Sequence, residues 1–186
     1  MTRNVLPALV AAGVFLAGLA LAQAPAANPK VLLKTTKGDI TIELYPAKAP
    51  ITVKNFLGYV EDKFYDGLIF HRVIPGFMIQ AGGMTAGMDP KQGRAPIKNE
   101  SGNGLTNARG AIAMARTNEL DSATSQFYIN LADNFRLDEM KYCSFGKVVA
   151  GMDAVDAIAQ VPTGSQRGHQ NVPLEPVTIL SATVVK

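Results

Sequence analysis

The 186-residue chain carries 18 basic and 15 acidic residues, a formal net charge of +3, and a single cysteine, Cys143. That length suffices for one domain with a buried core, so no second domain is required, and no intramolecular disulfide can contribute to its stability. The small and dispersed positive excess argues against nucleic acid as a partner, and two histidines plus one cysteine without ligand spacing argue against a metal centre.

Arg3 precedes an uncharged, mostly apolar run from Val5 to Ala22 that ends in two overlapping Ala-x-Ala triplets, Ala20-Leu21-Ala22 and Ala22-Gln23-Ala24. A positive start, an apolar stretch and a small-residue end are the parts of a secretory signal peptide. Pro25 follows the second triplet, and its ring and missing N–H make that bond hard for a peptidase to grip. Cleavage is therefore predicted after Ala22, giving residues 1–22 as signal peptide, 23–29 as an Ala/Pro-rich leader and 30–186 as the folded domain. A retained membrane anchor is the competing reading, because the run approaches the length that spans a bilayer; Pro7 and the Ala/Gly content weaken it. The expectation is an exported monomer with no stable membrane association once the segment is removed.

Val31 to Tyr45 reads as a hairpin turning at Lys37-Gly38-Asp39, with Ile40, Ile42 and Leu44 alternating against Thr41 and Glu43. Val53, Phe56, Leu57 and Val60 then fall on one helical face, and Pro50 suits that helix's first turn. Short β-type runs follow at Leu68–Val73, Met78–Ala81, Ala111–Ala115, Gln126–Leu131 and Ser144–Val149, separated by Gly, Asn, Asp and Pro clusters. Between Gly82 and Gly110, seven glycines and two prolines predict a long loop, and long ordered loops usually serve function. A second helix turns Met152, Val155, Ile158 and Ala159 inward, and Val177–Val185 supplies a closing strand. Many short strands with two helices make the fold mainly β, and fit a closed antiparallel barrel better than alternating α/β units.

The eleven residues Phe70 to Gln80 combine an arginine, bulky apolar side chains and an amide around a Pro75-Gly76 turn. Strand alternation puts Phe70, Arg72 and Ile74 on one face and His71 and Val73 on the other; past the turn, Met78 and Gln80 share a face, with Phe77 at the corner. Guanidinium keeps its proton and is rarely placed among apolar neighbours without acceptors, so the pattern suggests a small greasy pocket with one fixed charge. The segment resembles the signature of the cyclophilin family of peptidyl-prolyl cis-trans isomerases. Met114-Ala115-Arg116-Thr117 with Asp121 to Ile129 matches the family's other half of the site, and Phe145-Gly146-Lys147-Val148-Val149 to Met152-Asp153 matches its C-terminal strand-to-helix passage. The likeness runs from about Lys30 to the end.

That resemblance implies a closed eight-stranded antiparallel β-barrel capped by two helices, and an isomerase that acts on proline-containing polypeptides and folding intermediates without a cofactor. It implies Arg72 as the catalytic residue and Phe77, Met78, Tyr128 and Leu137 as the walls of a proline pocket. Gln80 and Gln126 would hold the substrate backbone, Ala115 and Arg116 would line the adjoining groove, and Tyr142 would close the rim. One position departs from the family: Arg136 stands just before Leu137-Asp138 where members carry Trp or Phe, which implies weak cyclosporin binding. A low-turnover module that holds proline-containing or unfolded segments is the alternative.

Taken without their neighbours, Phe77, Met78 and Tyr128 would read as core residues, and Arg72 as half of a structural ion pair. His71 with Asp66 and Ser122 invites a hydrolytic triad, but no nucleophile motif accompanies them. His71 is instead expected to be a hydrogen-bonded structural residue, His169 solvated, Cys143 inert, and Lys91, Arg94 and Lys98 a solvated loop face.

Overall fold

A computed structural model describes Met1 and residues 27–185. Apart from Met1, the predicted signal peptide lies outside the described residues, as do leader residues 23–26. No helix among the described residues is long and apolar enough to cross a membrane.

In chain order the elements are β1 (Lys30–Thr35), β2 (Gly38–Leu44), α1 (Pro50–Glu61), β3 (Arg72–Ile74), β4 (Met78–Ala81), β5 (Ala111–Met114), β6 (Phe127–Asn130), α2 (Arg136–Glu139), β7 (Ser144–Ala150), α3 (Met152–Ala159), β8 (Thr163–Gln166), β9 (His169–Pro173) and β10 (Ile179–Val185). Eight strands form one antiparallel sheet in the order β10-β1-β2-β7-β5-β6-β4-β3, and β8 and β9 pair separately. The predicted closed barrel is corrected to a curled half-barrel, because β10 and β3 remain edges of the ladder. Single bonds still tie the chain ahead of these edges: Phe70 N–H donates to the Val177 carbonyl at 2.9 Å and Ile179 N–H to the Leu68 carbonyl at 2.8 Å. The run Leu68–Val73 cannot extend that pairing into a ladder, since Leu68 and Ile69 make only isolated bridges, to Thr85 and Thr178, and Pro176 beyond them has no N–H to donate.

The β1–β2 hairpin, α1 and α3 form where the hydrophobic periodicity predicts them. Ile40, Ile42 and Leu44 are wholly buried, as the alternation requires, and α1 sends Val53, Phe56 and Val60 into the core. Phe56 packs at a tilt against Tyr65 and Phe145, each at 5.3 Å, and meets Phe127 edge-on at 5.5 Å, so one helical residue gathers aromatic rings from a loop and two strands. The third helix, α2, and the β8–β9 hairpin were not foreseen. Thr163 to Gln170 has no apolar alternation because its residues face solvent on both sides, and the hairpin buries only Val172 and Pro173.

The long segment from Gly82 to Gly110 contains no helix or named strand, as expected, but its cations do not simply face water. Lys91 donates to the Phe64 carbonyl and sits over the Phe64 ring at 4.4 Å, while Arg94 pairs with Asp62 and lies over Tyr59. Lys98 stays exposed. The segment also caps α1: Ala49 offers no side-chain acceptor, and the Glu100 carboxylate accepts instead from Ile51 N–H at 3.0 Å, Thr52 N–H at 2.8 Å and the Thr52 hydroxyl at 2.8 Å. A carboxylate there satisfies orphan amides and meets the positive end of the helix dipole. Glu100→Ala should cost about 1–2 kcal/mol, read as a lowered midpoint in thermal or denaturant unfolding.

Candidate active site

The β3–β4 hairpin turns at Pro75-Gly76, where Gly76 takes φ +73°, a conformation that favours glycine. Its register pairs Arg72 with Gln80, and β4 pairs Gln80 with Tyr128 on β6, which in turn faces Ala113 on β5. Successive strands thus place an arginine, an amide, a phenol and a methyl group in one row across the sheet. Val73 points to the core, while Ile74 joins Met78, Phe77, Ala113, Ala115, Tyr128, Leu137 and Tyr142 in a separate apolar cluster. Phe70 does not share Arg72's face, as alternation predicted, but is buried in the main core; the regular strand begins only at Arg72.

A cleft of about 200 Å³ opens here, lined by Arg72, Phe77, Met78, Gln80, Ala115, Arg116, Tyr128, Leu137 and Tyr142. Gln126 lines the adjoining cleft of about 240 Å³ with Thr117, Ser122 and Thr124, and Gln80, Ala115 and Arg116 border both. Gly83 leaves room for that amide, because a Cβ there would fall 2.5 Å from the Gln126 Nε2. All ten candidate residues therefore border two contiguous hollows.

Polar contacts set the orientation of this lining. Gln80 Nε2 donates to Gln126 Oε1 at 2.9 Å, which leaves Gln80 Oε1 turned to Arg72 Nη1 at the long distance of 3.5 Å. Among the described residues no carboxylate pairs with Arg72, whereas Arg94, Arg109 and Arg167 are each paired. Arg72 is more exposed than its greasy neighbours in sequence suggested, because the cleft is open on that side. Arg116 lies over the Tyr142 ring at 4.4 Å and donates to the Met140 carbonyl at 2.5 Å, which makes it a prop for the rim. Tyr142 meets Tyr128 edge-on at 6.1 Å. Burial, helped by the nearby Tyr142 and Asp138, pushes the Tyr128 phenol well above its ordinary pKa, so it acts as a neutral hydrogen-bonding group.

The triad reading finds no support. Ser122 Oγ donates to the Glu119 carbonyl and Asp66 accepts from Ala182 N–H, so neither addresses His71. His71 is buried, at 6% exposure; its Nδ1 has no partner among the described residues, while hydrogen bonding with the Ile69 backbone and the Gln126 side chain fits the structural role expected of it. Burial is the main cause of a pKa lowered from 6.5 to about 4. The unfolded chain then binds a proton more readily than the folded one between these values. Stability is full above about pH 6.5 and falls as pH drops toward 4, by up to about 3 kcal/mol. His71→Gln should flatten that part of a stability-against-pH curve measured by denaturant titration.

Sequence reasoning placed Ile74 on Arg72's face, where it joins the apolar cluster, but missed Ala113, which completes that cluster, and Asn107, which stands behind it. Ala113 becomes visible only once β5 is in register with β6, and Asn107 sits in a loop with no periodicity to mark it. Cys143 is buried, and burial raises its thiol pKa, in keeping with an unreactive side chain.

Residues 30–184 match the family described as cyclophilin type peptidyl-prolyl cis-trans isomerase/CLD. A peptidyl-prolyl cis-trans isomerase of Acinetobacter baylyi is 54% identical over 175 residues, covering 92% of this chain and 93% of that protein. Peptidyl-prolyl cis-trans isomerase A of Dickeya dadantii is 49% identical over 190 residues and spans the full length of both. Among solved structures, a cyclophilin type isomerase of Cryptosporidium parvum, crystallised in the presence of the dipeptide Ala-Pro, superposes with a TM-score of 0.73 at 27% identity, covering 84% of this chain and 99% of that one.

Proposed function

The chain belongs to the cyclophilin type peptidyl-prolyl cis-trans isomerases, and from that premise we propose that it isomerises X-Pro bonds in the cleft at Arg72, acting on proline-containing polypeptides and folding intermediates in the bacterial periplasm or cell envelope. The observation that carries the site assignment is an arginine without a carboxylate partner among the described residues, beside a hollow of about 200 Å³ walled by Phe77, Met78, Tyr128 and Leu137. Amide rotation is slow, with a barrier of about 18–20 kcal/mol, because the nitrogen lone pair is shared with the carbonyl. Twisting the bond returns that pair to a pyramidal nitrogen. A donor aimed at the nitrogen binds the twisted form more tightly than either planar one, and only such differential binding raises the rate.

Arg72 supplies that donor without proton transfer. Its fork of N–H groups stays charged, and the substrate itself covers the open side of the cleft and excludes water from it. Phe77, Met78, Tyr128 and Leu137 grip the ring, while Gln80 and Gln126 hold the substrate backbone. The prolyl half is thereby anchored and the preceding carbonyl swings. A roughly 10⁵-fold acceleration needs about 7 kcal/mol of such selectivity, within reach of one charged donor plus anchoring contacts. That the Cryptosporidium protein was crystallised in the presence of Ala-Pro supports a proline-containing ligand for this fold.

A holder with little turnover is the second reading, kept by Arg136 where the family carries an aromatic. Refolding of a client limited by proline isomerisation separates them: catalysis accelerates the slow phase at substoichiometric protein, whereas a requirement for equimolar protein would overturn the enzymatic role. Arg136→Trp should tighten cyclosporin inhibition by at least about tenfold, given what an aromatic contributes at a binding surface, measured by inhibitor titration. The export assignment rests on the charged start, apolar run and Ala-x-Ala ends of residues 1–24. N-terminal sequencing of the protein recovered from the periplasm should begin at Gln23; a start at Met1 would overturn cleavage.

A further inference from the structure

Behind the apolar hollow lies a polar network that the isomerisation mechanism does not use, and it converges on one residue. Asn107 is wholly buried, yet every polar atom of its amide is engaged. Its Oδ1 accepts from the Tyr128 hydroxyl at 2.8 Å and from Asn130 Nδ2 at 3.2 Å. Its Nδ2 donates to Asp138 Oδ1 at 2.6 Å and to the Tyr142 carbonyl at 3.2 Å, and its backbone N–H reaches the same Asp138 oxygen at 2.9 Å. Its carbonyl accepts from Asn134 N–H, and Asn134 Nδ2 passes the connection on to the Phe77 carbonyl at 2.8 Å.

The destinations are what matter. Tyr128, Tyr142 and Phe77 are walls of the cleft, and Asp138 sits on the single turn of α2 next to a fourth, Leu137. These walls come from a β-hairpin turn, a central strand, a one-turn helix and the loop after it. Helix α2 buries no residue and is too short to hold itself in place by propensity. A buried amide linked to all four sides therefore sets the width of the hollow.

We propose that Asn107 is a positioning residue for proline binding, fixing the spacing of Tyr128, Leu137 and Tyr142 through its side chain and of Phe77 through Asn134. It touches no substrate and donates nothing to the rotating amide. Its loss loosens the grip on the ring equally in the planar and twisted forms, so KM rises while kcat is kept. This inference rests on the proline pocket assigned above.

The test compares Asn107→Ala, Tyr128→Phe, the double variant and Asp138→Ala in steady-state isomerisation of an Ala-Pro peptide, with kinetic constants referred to folded protein. Asn107→Ala should raise KM by about tenfold, the scale of buried partners left unpaired, with kcat within about twofold. Tyr128→Phe should raise KM slightly, and the double variant should be no worse than Asn107→Ala alone, because both act through one bond. Asp138→Ala, at a half-buried site outside the main core, should raise KM and lower the thermal midpoint by only several degrees, since it takes one acceptor from two Asn107 donors without opening the core, which keeps the proposal testable should Asn107→Ala not fold. Parent KM in Asn107→Ala or Asp138→Ala, or additive effects in the double variant, would reduce Asn107 to a structural residue. Arg72→Ala, run alongside, separates the two levels: full activity there defeats the pocket assignment, whereas its loss with an unaltered Asn107→Ala defeats positioning alone.

Discussion

Arg72→Ala should lose about 10²–10³ in kcat/KM while keeping its fold, the loss expected when one preorganised transition-state donor is removed. The fold survives because Arg72 makes no ion pair among the described residues, and its hydrogen bond to Gln80 is long and weak, at 3.5 Å. Val73, which does hold β3 to the core, is untouched. The decrease should fall on kcat more than on KM, since the ring's apolar contacts remain. Arg72→Lys should recover little, because a compact ammonium on a flexible stem does not reproduce a planar fork. A coupled protease assay on a proline tetrapeptide, with circular dichroism to verify folding, checks both. Parent activity in either variant would remove Arg72 from the chemistry.

Gly151→Ala should destabilise the protein by about 2–5 kcal/mol, and the site plays no part in the reason. Gly151 joins β7 to α3 with φ +86°, a left-handed conformation that costs an alanine about 1–2 kcal/mol. A Cβ there would also sit 2.0 Å from the Asp39 carbonyl oxygen and 3.0 Å from the Ile40 Cα, both backbone atoms of the β2 strand start. Backbone cannot swing aside like a side-chain tip, so α3 must shift or the β2–β7 ladder must open, with an overpacking cost of about 1–3 kcal/mol. The thermal midpoint should fall by about 4–20 °C, while isomerase activity per folded molecule at low temperature stays at the parent value. An unchanged midpoint would show that the junction tolerates a side chain.

The contrast between these residues also shows what a linear chain discloses. Strands with one buried face were readable because Ile40, Ile42 and Leu44 alternate, and α1 was readable because Val53, Phe56 and Val60 recur at helical spacing. The ten candidate residues came from the family resemblance, and geometry unites nine in one cleft with Gln126 beside it. Features that depend on distant pairing were not legible. Glu100 caps a helix it does not precede, and Asn107 is buried from within a loop; the β8–β9 hairpin is local but was missed because Thr163 to Gln170 has no apolar pattern. Closure of the sheet was over-read for a related reason: Leu68 to Val73 has the composition of a strand, but its partners supply only isolated bridges. Alternation likewise misplaced Phe70, because period-two logic holds only where the ladder is continuous.

The central claim concerns a bound substrate in motion, so the most direct measurement is exchange NMR on an Ala-Pro peptide saturating the protein, giving the on-enzyme cis–trans interconversion rate and the dissociation constant together. With Arg72→Ala, interconversion should slow by about 10²-fold or more while affinity changes by less than about threefold, since planar amides gain little from the guanidinium. Equal interconversion rates in parent and variant, or a loss confined to affinity, would contradict the account.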